Sequence, residues 1–444
     1  MQVDKQIPEI QSIVAEVLAM AKAKGATQAE ASMSKVQGIS VSTRMQEVET
    51  IEFNNDGGLG ISVYVGSRKG SASTADLSKD GLALTVEKAI QIAKYTNEDK
   101  YTGLADAEMM IENPIDLELY YPQEMDTQQG VQLAIAAEQA AFEVDPDRIK
   151  NSDGSSYNMN VGARVYGNSH GVNVGFPSSR YSLNCVMIAQ ENGEMQRDYA
   201  YTVARDFAGL KTPAEVGVES AKNALSRLGG RKLNTMNVPV LFHRELASSL
   251  FGHFISAISG GSLYRKSSFL MDSLGTKVLP DWMNIYERPL IKKGLASSSF
   301  DNEGVRTEDM DIVTGGILNH YLLTSYSGRR LGMQTNGHAG GIHNWLIQDT
   351  GQSDEELLRM MDKGVLVTEL MGHGVNTVTG DYSRGAAGFW VENGQIQYPV
   401  HEITIAGNLK DMLLDIQAIG AVPETRGSVQ TGSILLGNMA IAGN

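Results

Sequence analysis

The sequence predicts an α+β protein whose N-terminal part is built twice over and whose C-terminal part is mostly β and barrel-like. Three observations carry this. Helical stretches bracket alternating strands twice in succession before residue 230. The texture changes near residues 231–237. Beyond them the chain is Gly-rich, with a two-residue period and few helical stretches. At 444 residues the chain is too long for one ordinary hydrophobic core, so a division into residues 1–232 and 233–444 is expected.

Residues 8–24 carry Ile10, Ile13, Val14, Val17 and Leu18 at i, i+3, i+4, i+7 and i+8, one face of a helix that Gly25 ends. From 27 to 75 the period falls to two, as in Ile39, Val41 and Thr43 and again in Ile61, Val63 and Val65. The clusters NNDGG at 54–58 and GSRKG at 66–70 are expected as turns between antiparallel strands. A second helix after Ser78 places Leu82, Val86, Ala89, Ile90 and Ala93 on one face. The order then recurs. A helix at 128–144 ends at Pro146, and 149–206 alternates, with hairpins expected at Asp153-Gly154 and Asn192-Gly193. The helix at 213–228 has Thr212 as N-cap, Pro213 at N1, Glu215 at N3 and Gly229 as its stop. The repetition lies in pattern order rather than in identity, and it implies a structural duplication.

Past the boundary one helix is clear at 243–258, with Leu246, Leu250, Phe254, Ala257 and Ile258 on one face, and a shorter one is expected at 353–363. Most of the rest alternates, with a hairpin at Asn393-Gly394. Closure into a barrel would remove the exposed strand edges of such a domain.

Composition narrows the function. The formal net charge of -15 opposes nucleic-acid binding, which rests on Lys and Arg displacing counterions from phosphates. Cys185 is the one cysteine, so no internal disulfide forms and no zinc site with two thiolates is available. The first 25 residues show neither a continuous apolar segment nor a small-residue cleavage site. No apolar run approaches the about 20 residues of a membrane span. A cytoplasmic location is expected, without membrane or nucleic-acid partners.

No G-x-S-x-G elbow, Walker A loop, G-x-G-x-x-G or H-E-x-x-H motif is present. H-E-x-x-H grips zinc because side chains at i and i+4 share a helix face. Here His401-Glu402 is followed by Ile403-Thr404-Ile405, which reads as a strand. His243 and His253 stand ten apart with Arg244 beside the first. The densest group of metal-ligand types is His338 and His343 in GHAGGIHNW, Glu369 and His373 in TELMGHG, and Asp381. Against a metal site stands a simpler reading, in which Gly337, Gly340 and Gly341 make a tight loop whose histidines bond to backbone. His170 reads as a turn residue and Cys185 as buried strand packing. Tyr326, Arg329 and Arg330 could read a peptide carboxylate, although a solvated strand end would look the same.

Several segments together resemble the TldD/PmbA, or modulator-of-gyrase, family, and specifically its PmbA (TldE) branch. They are Val41-Ser42-Thr43-Arg44, EVETIEFNNDGGLGISVYV (47–65), GSASTADLS (70–78) and RDYAYTVAR (197–205), then SGGSLYRKSSFLMDSLG (259–275) and LPDWM (279–283). FDNEGVRTEDMDIVTGGIL (300–318), LTSYSGRRLG (323–332), GHAGGIHNW (337–345) and TGDYSRGAAGFWVENGQIQYPVHEITIAGN (379–408) complete the set. The resemblance spans essentially the whole chain. It implies a TldD-like partner that carries zinc on an H-E-x-x-x-H helix and a late Cys, and that hydrolyses peptide bonds. The pair would enclose a chamber admitting unfolded peptide, with roles such as peptide-antibiotic maturation and antitoxin turnover.

This chain departs from the catalytic branch at both decisive places. The zinc helix corresponds roughly to 243–258, HRELASSLFGHFISAI, and the late Cys region to 423–436, PETRGSVQTGSILL, which has no Cys. Two histidines, the base and the thiolate are lost together. The resemblance therefore implies a supporting subunit with no catalytic or metal-binding residue and no cofactor of its own, able to form a homodimer when alone. Residues 335–345 and 379–388 are candidates for a vestigial cleft or partner-facing loops; His338, His343, Glu369, His373, Asp381 and Arg384 are the candidate residues. Two rival readings are an independent hydrolase with a metal held by His338, His343, Glu369, His373 and Asp381, and a non-enzymatic binder of gyrase or a toxin.

Overall fold

In the computed structural model, which describes residues 3–124 and 126–443, the N-terminal half repeats one unit of helix, three antiparallel strands and helix. The first unit comprises α1 (Ile7–Ala23), β1 (Gln28–Arg44), β2 (Glu47–Val65), β3 (Arg68–Thr74) and α2 (Lys79–Tyr95). The second comprises α3 (Thr127–Phe142), β4 (Ile149–Asn168), β5 (Asn173–Glu191), β6 (Glu194–Ala204) and α4 (Pro213–Ser226). Strands β1 and β4 pair antiparallel, from Glu30 opposite Asn168 to Thr43 opposite Ser155, and join the units into one sheet of order β3-β2-β1-β4-β5-β6.

Side chains alternate across a strand, so one face collects Ala29, Ala31, Met33 and Ile39 of β1 with Tyr157, Met159, Val161 and Val165 of β4. The four helices cover that face. Helices α1 and α3 each pack over both β1 and β4 and so straddle the junction of the two units, while α2 lies over β2 and β3 and α4 over β5 and β6. A helix in a folded chain draws most of its stability from packing its apolar face rather than from intrinsic propensity, and α1, with 17 residues, has such a face. Burying Ile10, Val14 and Val17 completely, at roughly 1.5–3 kcal/mol each, holds it in place. The expected cap of α4 is present: Thr212 Oγ1 accepts the Glu215 N–H and the Glu215 carboxylate accepts the Thr212 N–H.

Two expected turns are not turns. The 54–58 cluster lies inside β2, opposite residues 34–38 of β1, and the chain reverses at Met45 and Gln46 instead. Both adopt left-handed backbone, with φ of 53° and 62°, which neither residue type favours. Their N–H groups donate to the buried Glu138 carboxylate of α3 at 3.0 and 2.9 Å, and Thr43 Oγ1 donates to it at 3.0 Å. A tertiary contact thus holds a reversal that local sequence disfavours. Asp153-Gly154 likewise lies inside β4, where Gly154 sits at a bulge with φ of 110° and its N–H donates to Ser152 Oγ. The reversals at Asn192-Gly193 and Asn393-Gly394 do form, with positive φ at both residues of each pair.

The C-terminal half begins with β7 (Met236–Phe242), α5 (Arg244–Ile258), α6 (Gly260–Tyr264), β8 (Ile285–Glu287), β9 (Met310–Thr314), β10 (Ile317–Leu318), α7 (Ser325–Leu331) and β11 (Trp345–Ile347). It continues with α8 (Asp354–Met361), β12 (Gly364–Met371), β13 (Asp381–Glu392), β14 (Gln395–Asn408), α9 (Leu409–Leu414), β15 (Ile416–Ile419), β16 (Val429–Gln430) and β17 (Ile434–Ala442). Strands β14, β13, β12, β7 and β17 pair in that order, and β17 returns to β14 and closes a five-stranded barrel. Closure is what the alternation predicts. A smaller sheet, β10-β9-β8-β11-β16, lies alongside. The core between them gathers Val240, Phe242, Val365 and Val367 of the barrel, Leu250, Phe251 and Phe254 of α5, and Trp345. Helix α8 covers a second apolar face made by Leu241, Leu366 and Leu435.

The stretch with Tyr326, Arg329 and Arg330, whose sequence allows either a carboxylate reader or a solvated strand end, is helix α7; Tyr326 and Arg329 turn towards the chain and Arg330 is exposed. Tyr326 Oη donates to Asp99 Oδ2 at 2.8 Å. The Arg329 guanidinium donates to the carbonyls of Tyr101, Gly103 and Leu104 and to Asp106. These bonds pin the segment after α2 to the C-terminal half and leave Arg329 no free donor edge for a peptide carboxylate.

Candidate functional site

The first turn of α5 and the 423–436 segment, far apart in the chain, meet in space. The His243 N–H donates to the Val367 carbonyl of β12 at 3.0 Å and the Arg244 N–H to Ser433 Oγ at 3.0 Å, which fixes where α5 starts. Glu245 then falls in the first turn, where a carboxylate is favoured by the helix dipole. It points at Arg426. The Arg426 Nε donates to Glu424 Oε1 at 2.8 Å, Nη2 donates to both the Glu424 and the Glu245 carboxylates, and Nη1 donates to the Tyr201 carbonyl at 2.8 Å. The guanidinium carbon lies 4.0 Å from the centroid of the Tyr201 ring. The Arg426 and Glu424 side chains are only 14% and 12% exposed, so solvent screens little of this attraction.

Electrostatics follow from the packing. Burial alone would lower the Arg426 pKa, but the two carboxylates hold it above its ordinary value and the cation is permanent. Burial pushes the Glu424 carboxyl up, and the bonds from Arg426 more than reverse this. Burial lowers the pKa of His243 despite nearby Glu245, so its imidazole is kept neutral. His253 of α5 stands with its ring centroid 6.0 Å from that of Tyr382, and its buried Nε2 has no hydrogen-bond partner among the described residues.

These residues do not fit zinc. Zinc takes about four N, S or O donors in a tetrahedral shell. Here the two carboxylates are already closed on a guanidinium, and the 423–436 segment contains no cysteine. Among the described residues no group of three or more His, Cys, Asp and Glu side chains is placed to hold a metal ion.

The six candidate residues fall in separate places. His338 and His343 converge on Glu287 at the end of β8: His338 Nε2 is 2.6 Å from Oε2, and His343 Nδ1 is 3.2 Å from Oε1. His338 Nδ1 is also 2.8 Å from Asn336 Oδ1. Glu369 of β12 pairs instead with Arg227, whose other amino group reaches Asp198 at 3.3 Å, and so ties the barrel to the N-terminal sheet. His373 is on an exposed loop. Asp381 accepts from Thr379 Oγ1 and Asn408 Nδ2 at the start of β13. Arg384 is half-buried further along that strand, with its Nε unpartnered among the described residues. A single metal site drawn from His338, His343, Glu369, His373 and Asp381 is therefore not assembled. Glu287 and Arg426 escape sequence reasoning; the one available signal was the spacing of the histidines that Glu287 joins. His170 sits in the turn after β4, its N–H on Asn168 Oδ1 at 3.0 Å.

The chain is 54% identical over 442 residues to Metalloprotease PmbA of Escherichia coli O157:H7, with 100% of this chain and 98% of that one covered. It is 54% identical over 441 residues to the Metalloprotease PmbA homolog of Haemophilus influenzae, with 99% and 97% covered. It superposes on the crystal structure of a proposed modulator of DNA gyrase from Bacteroides thetaiotaomicron with a TM-score of 0.93 at 26% identity, covering 98% and 99% of the two chains. It also shares the fold of TldE from Thermococcus kodakarensis, with a TM-score of 0.85 at 20% identity over 97% and 100%. Residues 29–93, 120–228 and 235–443 match domain 1, the central domain and the C-terminal domain of the PmbA/TldA metallopeptidases, and the chain belongs to that family.

Proposed function

We propose that this chain is the supporting, non-cutting subunit of a two-subunit zinc peptidase, in which a TldD-like partner carries the metal and the substrate is unfolded peptide. The observation that carries this reading is the pocket at the start of α5. The two segments that correspond to the zinc helix and the late Cys of the catalytic branch meet there, around an arginine rather than around a set of metal donors. The high identity to chains named metalloprotease supports membership of the proteolytic system, and the altered pocket supports the division of labour. Peptide-antibiotic maturation and antitoxin turnover are the substrate roles this reading carries, in the cytoplasm, with a homodimer as the resting form when no partner is present. Among the described residues no helix is long and apolar enough to cross a membrane.

The test is reconstitution. The purified chain should leave an unfolded peptide intact, and addition of a TldD-like subunit should give chelator-sensitive cleavage. Cleavage by the chain alone, persisting after contaminant proteases are excluded, would sink the proposal.

A further inference from the structure

We infer that the Arg426 guanidinium is the resident cation of the α5 pocket, and that its presence keeps divalent metal out. The inference deepens the reading above at the same pocket.

Three segments converge on this one cation. The first turn of α5 brings Glu245, the chain before β16 brings Glu424, and β6 brings the ring and carbonyl of Tyr201. Both carboxylates reach the same nitrogen, Nη2. Such convergence differs from a surface ion pair, in which one carboxylate meets one cation in water and contributes little. Two carboxylates aimed at a common point repel each other unless a positive charge stands between them. The pocket therefore has a strong demand for a cation, and the chain meets it internally. A guanidinium suits the place because its planar fork can bond two carboxylates and a carbonyl at once while its face stacks on an aromatic ring. With the guanidinium removed, the Glu245 and Glu424 carboxylates that now share Nη2 are left facing one another, and carboxylate oxygen is a donor type that zinc accepts.

The experiment compares full-length wild type with R426A, R426K and R426A combined with E245Q and E424Q. Folding is followed by circular dichroism, and zinc is titrated and then counted by elemental analysis after gel filtration. Wild type and R426K, which keeps the charge, should hold no stoichiometric zinc. R426A should take up about one zinc per chain, at least tenfold tighter than R426K, and the added glutamines should abolish it. Zinc should also raise the melting temperature of R426A and leave that of wild type unchanged. If R426A folds poorly, R426Q, which retains polar contacts without charge, should show the same zinc-dependent rise. A folded R426A or R426Q that binds zinc no better than wild type would overturn the inference, as would stoichiometric zinc in wild type. Reconstitution with a partner is a separate measurement, so the supporting-subunit reading can fail while this one holds, and the reverse.

Discussion

His338 Nε2 lies 2.6 Å from Oε2 of Glu287, and both side chains are almost entirely buried. The other carboxylate oxygen accepts the His343 N–H at 2.6 Å. One carboxylate thus fastens both ends of the GHAGGIH loop to β8. Burial pushes the Glu287 carboxyl up, but the bonds from His338 and His343 win and hold it at about 2. A carboxyl depressed in the folded state stabilises at pH above its unfolded pKa of about 4.3, and that contribution is lost as pH falls from there through about 2. Glu287→Gln should cost about 3 kcal/mol at neutral pH, because it leaves buried donors facing an uncharged amide. Urea denaturation across pH 2 to 7 checks both parts: the variant should be weaker at pH 7, and its deficit should shrink towards pH 2.

Arg329 of α7 holds the 99–106 segment through three carbonyls and one carboxylate. Arg329→Ala should loosen that segment more than it lowers global stability, because its buried apolar anchorage is confined to Leu104 and Ala105. Hydrogen exchange of the 99–106 amides should speed up by tenfold or more while exchange in α5 stays unchanged. Arg329→Lys should not restore protection, since one ammonium cannot span acceptors spread over four residues. Equal exchange in wild type and both variants would show that the guanidinium is incidental.

How much of this was legible in the sequence depends on where the determining contact lies. Helices α1, α2, α4 and α5 are written in their own apolar spacing and caps, and the structure places them within a residue or two of expectation. The reversal at Met45-Gln46 is not, because it depends on Glu138, which reaches it from the other unit. Asp-Gly pairs inside strands mislead for the matching reason: Gly154 serves a bulge rather than a hairpin. The site divides the same way. The missing zinc motif is readable from spacing alone, whereas the Arg426 cluster joins residues 201, 245, 424 and 426 and exists only once β6, α5 and the 423–436 segment are folded together.

Cys185 offers a test of the N-terminal core. Its thiol is buried in β5, and burial, reinforced by the charge of Glu138, pushes its pKa up to about 12. Thiolate is the reactive form, so a thiol reagent at pH 8 should label it negligibly in the native chain and fully in denaturant. The labelling rate across a urea titration should follow opening of the duplicated sheet. Rapid native labelling would contradict the packing of β5 beneath α3 and α4.

Two glycines in helices should respond in opposite directions to the same substitution. Gly217 of α4 faces α3 so closely that an added Cβ would lie 2.0 Å from the Ala137 carbonyl oxygen and 2.9 Å from its carbon. Those are backbone atoms of a packed helix and cannot swing aside. Gly252 of α5 has nothing within 4 Å of the same position. Alanine gains about 0.8–1 kcal/mol over glycine in a helix interior. At Gly252 that gain should appear undiminished, raising the melting temperature of the transition that unfolds α5. At Gly217 the clash should exceed it, because forcing an atom into a filled contact costs about 1–3 kcal/mol or more and here requires α3 and α4 to separate. Gly217→Ala should therefore lower stability by about 1–2 kcal/mol net, measured by denaturation of the full chain with Cys185 labelling as a local probe. If both variants are stabilised, helix propensity rather than the α3–α4 contact governs the second unit, and the close approach of the two helices is not a constraint on the fold.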